Sequence, residues 1–102
     1  MEYWLLFWGS TLTDRVEAEI AERLRHGDAE DVLACPGVAG FRRDLLASDP
    51  DWTAMRLLPR PGQLIDRYLA LVFTEPPGAE ELRDLRYVAA RNRLTMHDPQ
   101  TG

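Results

Sequence analysis

The sequence predicts an α+β domain with the element order βαββαβ. Three observations carry that reading. Two six-residue runs, Tyr3–Trp8 and Tyr68–Phe73, are apolar at both parities and rich in aromatic or branched residues, as buried strands are. Each run is followed by apolar residues at helical spacing, first Val16, Ile20 and Leu24, then Leu82, Leu85 and Ala89. Clusters of Gly and Pro punctuate the rest.

In order along the chain, Tyr3–Trp8 is the first strand, and Gly9-Ser10-Thr11 ends it. Thr11-Leu12-Thr13-Asp14 resembles a capping box with Asp in place of Glu, so a helix is expected to follow, its apolar stripe set between Glu17, Glu19, Glu22 and Arg23. Gly27, after His26, is the expected stop, and Asp28 caps a further helical turn through Val32 and Leu33 until Pro36-Gly37 breaks it. The second strand is expected over Val38 to Leu46, where apolar and charged residues mix as on a partly exposed strand. Pro50, Pro59, Pro61 and Gly62 break up residues 48–66, which read as an irregular hairpin connection whose Trp52, Leu57 and Leu58 need cover. Tyr68–Phe73 is the third strand, and Pro76-Pro77-Gly78 leads into the second helix, with Glu80, Glu81, Arg83, Asp84 and Arg86 facing out. Leu94-Thr95-Met96-His97 makes a short last strand. This order is that of the ferredoxin-like fold, a four-stranded antiparallel sheet with two helices on one face.

Such a sheet leaves its second face bare. The second parity of both apolar runs would then lie in water, a patch larger than monomers usually expose. A second subunit is the expected cover, giving a homodimer of two sheets packed face to face, a dimeric α/β barrel.

Composition bounds the function. A chain of 102 residues, 45% hydrophobic and 28% charged, suits one domain over residues 1–102. No run approaches the roughly 20 apolar residues of a membrane span, and the start lacks the marks of a secretory signal, so a cytoplasmic protein is expected. The net charge of -5, with Arg as every basic residue, disfavours nucleic acid or an anionic membrane as partner. A single cysteine, Cys35, and two histidines, His26 and His97, offer no zinc cluster. Ser10 and Ser48 lie in no nucleophile elbow, and no Gly-rich phosphate loop is present.

Three segments resemble signature regions of EthD-like dimeric α/β-barrel proteins. They are Glu30-Asp31-Val32-Leu33-Ala34-Cys35-Pro36-Gly37-Val38, Arg67-Tyr68-Leu69-Ala70-Leu71 and Arg93-Leu94-Thr95-Met96-His97-Asp98. The resemblance implies a small, hydrophobic or aromatic ligand in a cavity between sheet and helices, in a catabolic or secondary-metabolite pathway that extends to polyketide-type substrates. It implies no single reaction. Many relatives carry a Trp-Tyr pair and then a His late in the first helix; matching back from Pro36 sets that His against Asp28, with His26 two positions earlier.

The candidate catalytic residues are His26, His97 and Tyr87, and the candidate substrate contacts are Tyr3, Tyr68, Asp28 and Arg43. Imidazole titrates near neutral pH and suits proton transfer. His26 also suits a helix C-terminus as a cation, and the tyrosines also suit packing with the hydroxyl on a partner. Asp98, beside His97, points to the opposite face of a strand and so does not pair with it directly. Arg42 and Arg43 read as solvated strand residues, and one facing the cavity would fix a substrate carboxylate bidentately. No cofactor or metal is expected. Two functions follow: a cofactor-independent cyclase, isomerase or lyase using acid–base chemistry, or a non-catalytic ligand-binding or accessory dimer of the same fold.

Overall fold

The computed structural model describes residues 2–11, 14–48, 55–58 and 67–99, with backbone alone at 46, 48 and 55–58. Its elements run β1 (Tyr3–Trp8), α1 (Glu17–Arg25), α2 (Pro36–Ser48), β2 (Met55–Leu58), β3 (Tyr68–Phe73), α3 (Ala79–Arg91) and β4 (Thr95–His97). The sheet is antiparallel throughout, in the order β2-β3-β1-β4. β1 and β3 lie side by side at its centre, with Tyr3 opposite Phe73 and Trp8 opposite Tyr68. The two runs that the sequence marks as apolar at both parities are therefore the two strands with a neighbour on each side.

Parity divides the core into two clusters. Leu5, Phe7, Leu69, Leu71 and Phe73 point to one face and pack against Val38, Phe41 and Leu45 of α2 and Leu85 and Ala89 of α3. The rings of Phe7 and Phe41 meet edge to face at 4.6 Å between centroids, a favoured aromatic geometry. Leu6, Trp8, Tyr68 and Ala70 point the other way and pack against Ile20, Ala21 and Leu24 of α1 and against Ala29 and Val32 of the following loop. Trp4 flanks this second cluster, and the Arg25 guanidinium lies over its ring at 5.4 Å.

That division corrects two expectations. The helices do not share one face: α1 lies on the opposite side of the sheet from α2 and α3. The second face is covered from within the chain, so the bare patch that called for a second subunit does not arise.

A further correction concerns α2. Val38 to Leu46 is helical, because Val38, Phe41 and Leu45 recur at the three-to-four-residue spacing of one helix face. Pro36 starts this helix rather than breaking the one before, since the first turn needs no N–H from it. Gly37 lets α2 run against the end of α3, where a Cβ would collide with the Asn92 carbonyl. The second strand lies instead at Met55–Leu58, inside the stretch read as an irregular connection. Residues 49–54 and 59–66 of that stretch, Trp52 among them, are outside the described residues.

Helix ends follow local chemistry. α1 begins at Glu17 without a side-chain cap, three residues after Asp14; of the expected capping box, Thr11 forms an isolated bridge with Val32 and Thr13 is outside the described residues. α1 closes as a Schellman motif on Gly27, whose φ is +83°: the Gly27 amide donates to the Leu24 carbonyl at 3.0 Å and the Asp28 amide to that of Arg23 at 2.9 Å. α3 closes the same way on Arg93, a non-glycine at φ +61°, with the Leu94 amide donating to the Ala89 carbonyl at 2.8 Å. Asp28 caps a turn rather than a helix, its Oδ1 accepting the Glu30 amide at 3.1 Å. Among the described residues no helix is long and apolar enough to cross a membrane.

Candidate functional site

The three candidate catalytic residues occupy separate places. His26 is the C-cap of α1, its side chain 74% exposed and its Nε2 3.1 Å from Oε1 of Glu22 one turn earlier. His97 is buried on β4 under the other end of α1, with Nδ1 3.5 Å from Oε2 of Glu17 and its ring 6.0 Å from that of Trp8. Glu17 and His26 stand nine residues apart along one helix, about 13 Å of axial rise. Tyr87 is exposed on α3, the helix on the far side of the sheet. No two of the three share a contact that a substrate would bridge.

The candidate substrate contacts divide between the two faces as well. Tyr3 packs beside the α2/α3 cluster and donates its hydroxyl proton to Oδ2 of Asp98. Burial first, then that hydrogen bond and the Asp98 charge, push the Tyr3 phenol up to about 12. Asp98 thus serves Tyr3, while His97 next to it turns to Glu17 on α1. Tyr68 is buried in the α1 cluster, and burial raises its phenol too. Asp28 pairs with Arg23 at 3.4 Å, and Arg43 is exposed on α2. Tyr3 and Tyr68, on opposite sides of the sheet, do not line a common cavity. Its neighbour Arg42, read from sequence as solvated, has Nε and Nη2 shielded from water without a hydrogen-bond partner, and burial lowers its pKa.

Asp28 lines a shallow hollow of about 500 Å³ with Gly27, Ala29, Glu30 and Arg67, and a second concave surface lies between α2 and α3. A groove of about 530 Å³ has Asp44 and Leu45 on one wall and Asp84, Leu85, Val88 and Arg91 on the other. Its floor is firm, because Leu45 and Leu85 are buried against the sheet. Asn92, at the end of α3, ties the walls together: its side-chain amide donates to Asp44 Oδ2 at 3.1 Å and to the Val88 carbonyl at 2.9 Å. Sequence reasoning missed these residues. Asp84 and Arg91, seven apart on a helix, lie on one face of α3 and were legible; Asp44 was not, since it joins them only if α2 is a helix.

Among the described residues no three His, Cys, Asp or Glu side chains gather where a metal ion would be held. Comparison with known proteins finds no match for the chain among family models, curated proteins or solved structures.

Proposed function

We propose that this chain is a non-catalytic ligand-binding domain built on a ferredoxin-like sheet. The strand order β2-β3-β1-β4, with helical crossovers between β1 and β2 and between β3 and β4, supports the fold. One observation carries the function: His26, His97 and Tyr87 are spread over an exposed helix end, a buried edge strand and an exposed helix face. Acid–base catalysis needs its groups within hydrogen-bond reach of one substrate, and a binding domain has no such requirement. The EthD-like likeness adds little weight, because its first segment precedes a helix here rather than a strand.

The test is a fragment screen by amide chemical shifts on the folded chain. Saturable shifts from at least one compound class are expected; silence across a broad library removes the reading. A second, enzymatic reading has a single observation in its favour: His97 is buried with Nδ1 toward a carboxylate, the arrangement that orients a general base. It requires that turnover of some substrate be lost in His97→Gln and strongly reduced in Glu17→Gln while the amide spectrum stays native. A substrate turned over equally well by both variants would end it.

A further inference from the structure

We infer that α1 is a cover latched by Asp31, which opens as a unit while the core under α2 and α3 stays folded. α1 has little of its own to hold it. Its nine residues fall short of the about 12–15 at which helices persist alone, no side chain caps its start, and its buried residues are Ile20, Ala21 and Leu24. The cluster under α2 and α3 contains no α1 residue, so lifting α1 uncovers Leu6, Trp8, Tyr68 and Ala70 and leaves that cluster whole.

The loop after α1 is fixed to the body of the domain. Thr11 bridges Val32, the Leu33 amide donates to the Ser10 carbonyl at 2.9 Å, and the Arg67 guanidinium donates to the Val32 carbonyl at 3.4 Å. Asp31 stands in this loop with its side chain 13% exposed, and it reaches both ends of the helix. Oδ1 lies 3.7 Å from Nε of Arg15, two residues before α1, and Oδ2 lies 3.4 Å from Nη1 of Arg23 in the last turn. Oδ2 is shielded from water and accepts no hydrogen bond, so its charge is balanced by a guanidinium rather than by solvent. Arg15 and Arg23 also meet Glu19 and Asp28, at 3.5 and 3.4 Å, but those partners belong to α1 and the turn that closes it. Glu17 to His97 and Arg25 over Trp4 add one contact to the sheet at each end, both from side chains open to water. Charge therefore fastens α1 where apolar contacts are few, and salt loosens it.

The test is native-state hydrogen exchange on the full chain, read amide by amide in low urea. Residues 21–25 are expected to exchange ahead of 85–89, through an opening with a shallower urea dependence. Val38→Ala, in the core that stays closed, is expected to speed exchange at 85–89 about tenfold and to leave 21–25 unchanged. Asp31→Asn removes a latch that is broken in both openings, so both sets are expected to speed up about three- to tenfold. High salt is expected to speed exchange at 21–25 in the original chain and less so in Asp31→Asn. If Asp31→Asn does not fold, Arg15→Gln makes the same comparison with a smaller rise. A rise at 21–25 in Val38→Ala equal to that at 85–89 would show that α1 opens only with the whole domain and would overturn the inference; unchanged exchange at 21–25 in Asp31→Asn would remove the latch.

Discussion

The two faces of the sheet are built from the same two strands, yet they are closed differently. On one face, two thirteen-residue helices cover Leu5, Phe7, Leu69, Leu71 and Phe73, and the fully buried side chains of that face are all apolar. On the other, nine-residue α1 and its loop cover Leu6, Trp8, Tyr68 and Ala70, with buried His97 at the margin and half-buried Trp4 under Arg25. Strand patterning fixes how many faces must be buried, while the partner of each face is set by where the helices can reach. A strand apolar at both parities is satisfied by a three-layer chain as fully as by a dimer.

If the α2/α3 face is the stability core and the α1 face the lighter cover, matched truncations separate them. Phe41→Ala, which empties a fully buried site against Phe7, is expected to cost about 3–5 kcal/mol, and Leu24→Ala on α1 about 2–3 kcal/mol, because a short helix relaxes into the space more readily. Urea denaturation of both variants checks this, and a larger loss in Leu24→Ala would invert the comparison. Gly37→Ala should cost about 1–3 kcal/mol, since the added methyl must push α2 off the Asn92 carbonyl. The same substitution at Gly40 meets the Asn92 side chain, which has more freedom to move, and should cost less.

The two helix ends extend the contrast at smaller scale. Gly27→Ala is expected to lose about 1 kcal/mol at φ +83°, whereas Arg93→Gly is expected to gain about 0.5 kcal/mol by relieving a left-handed non-glycine. Thermal midpoints moving in opposite directions would bear this out. Alkaline pH probes the Tyr3 contact. Below pH 10 the phenol is protonated in both states and its contribution is complete. Between pH 10 and about 12 the unfolded chain gives up the proton while the folded chain keeps it, so stability falls as pH rises through that window. Tyr3→Phe should flatten much of the slope in urea midpoints taken across pH 9–11.5. The remainder belongs in part to Tyr68, whose raised phenol has the same sign. An unchanged slope would mean that the Asp98 contact does not hold the proton.

How much of this was legible follows from which signals are local. β1 and β3 were readable to the residue, because apolar runs bounded by turn residues are a local signal, and the Gly27 stop was readable for the same reason. α2 was misread although Val38, Phe41 and Leu45 carry a helical period: Arg42, Arg43 and Asp44 broke the apolar pattern, and Pro36-Gly37 looked like an ending rather than a start. β2 was hidden among prolines. The side of the sheet taken by α1 was not legible at all, since an apolar stripe shows that a helix is buried and not against what. The groove was lost with α2, because Asp44 comes to face α3 only through tertiary packing.

Helix α1 covers the second face of its own sheet. An isotope-filtered nuclear Overhauser experiment on an equal mixture of labelled and unlabelled chain tests it most directly, through contacts from Leu6 and Trp8 to the methyl groups of Ile20 and Leu24. Strong contacts are expected within one chain and none between chains. The same contacts seen between chains, or Leu6 and Trp8 meeting the sheet of a second copy, would contradict it and restore the dimer.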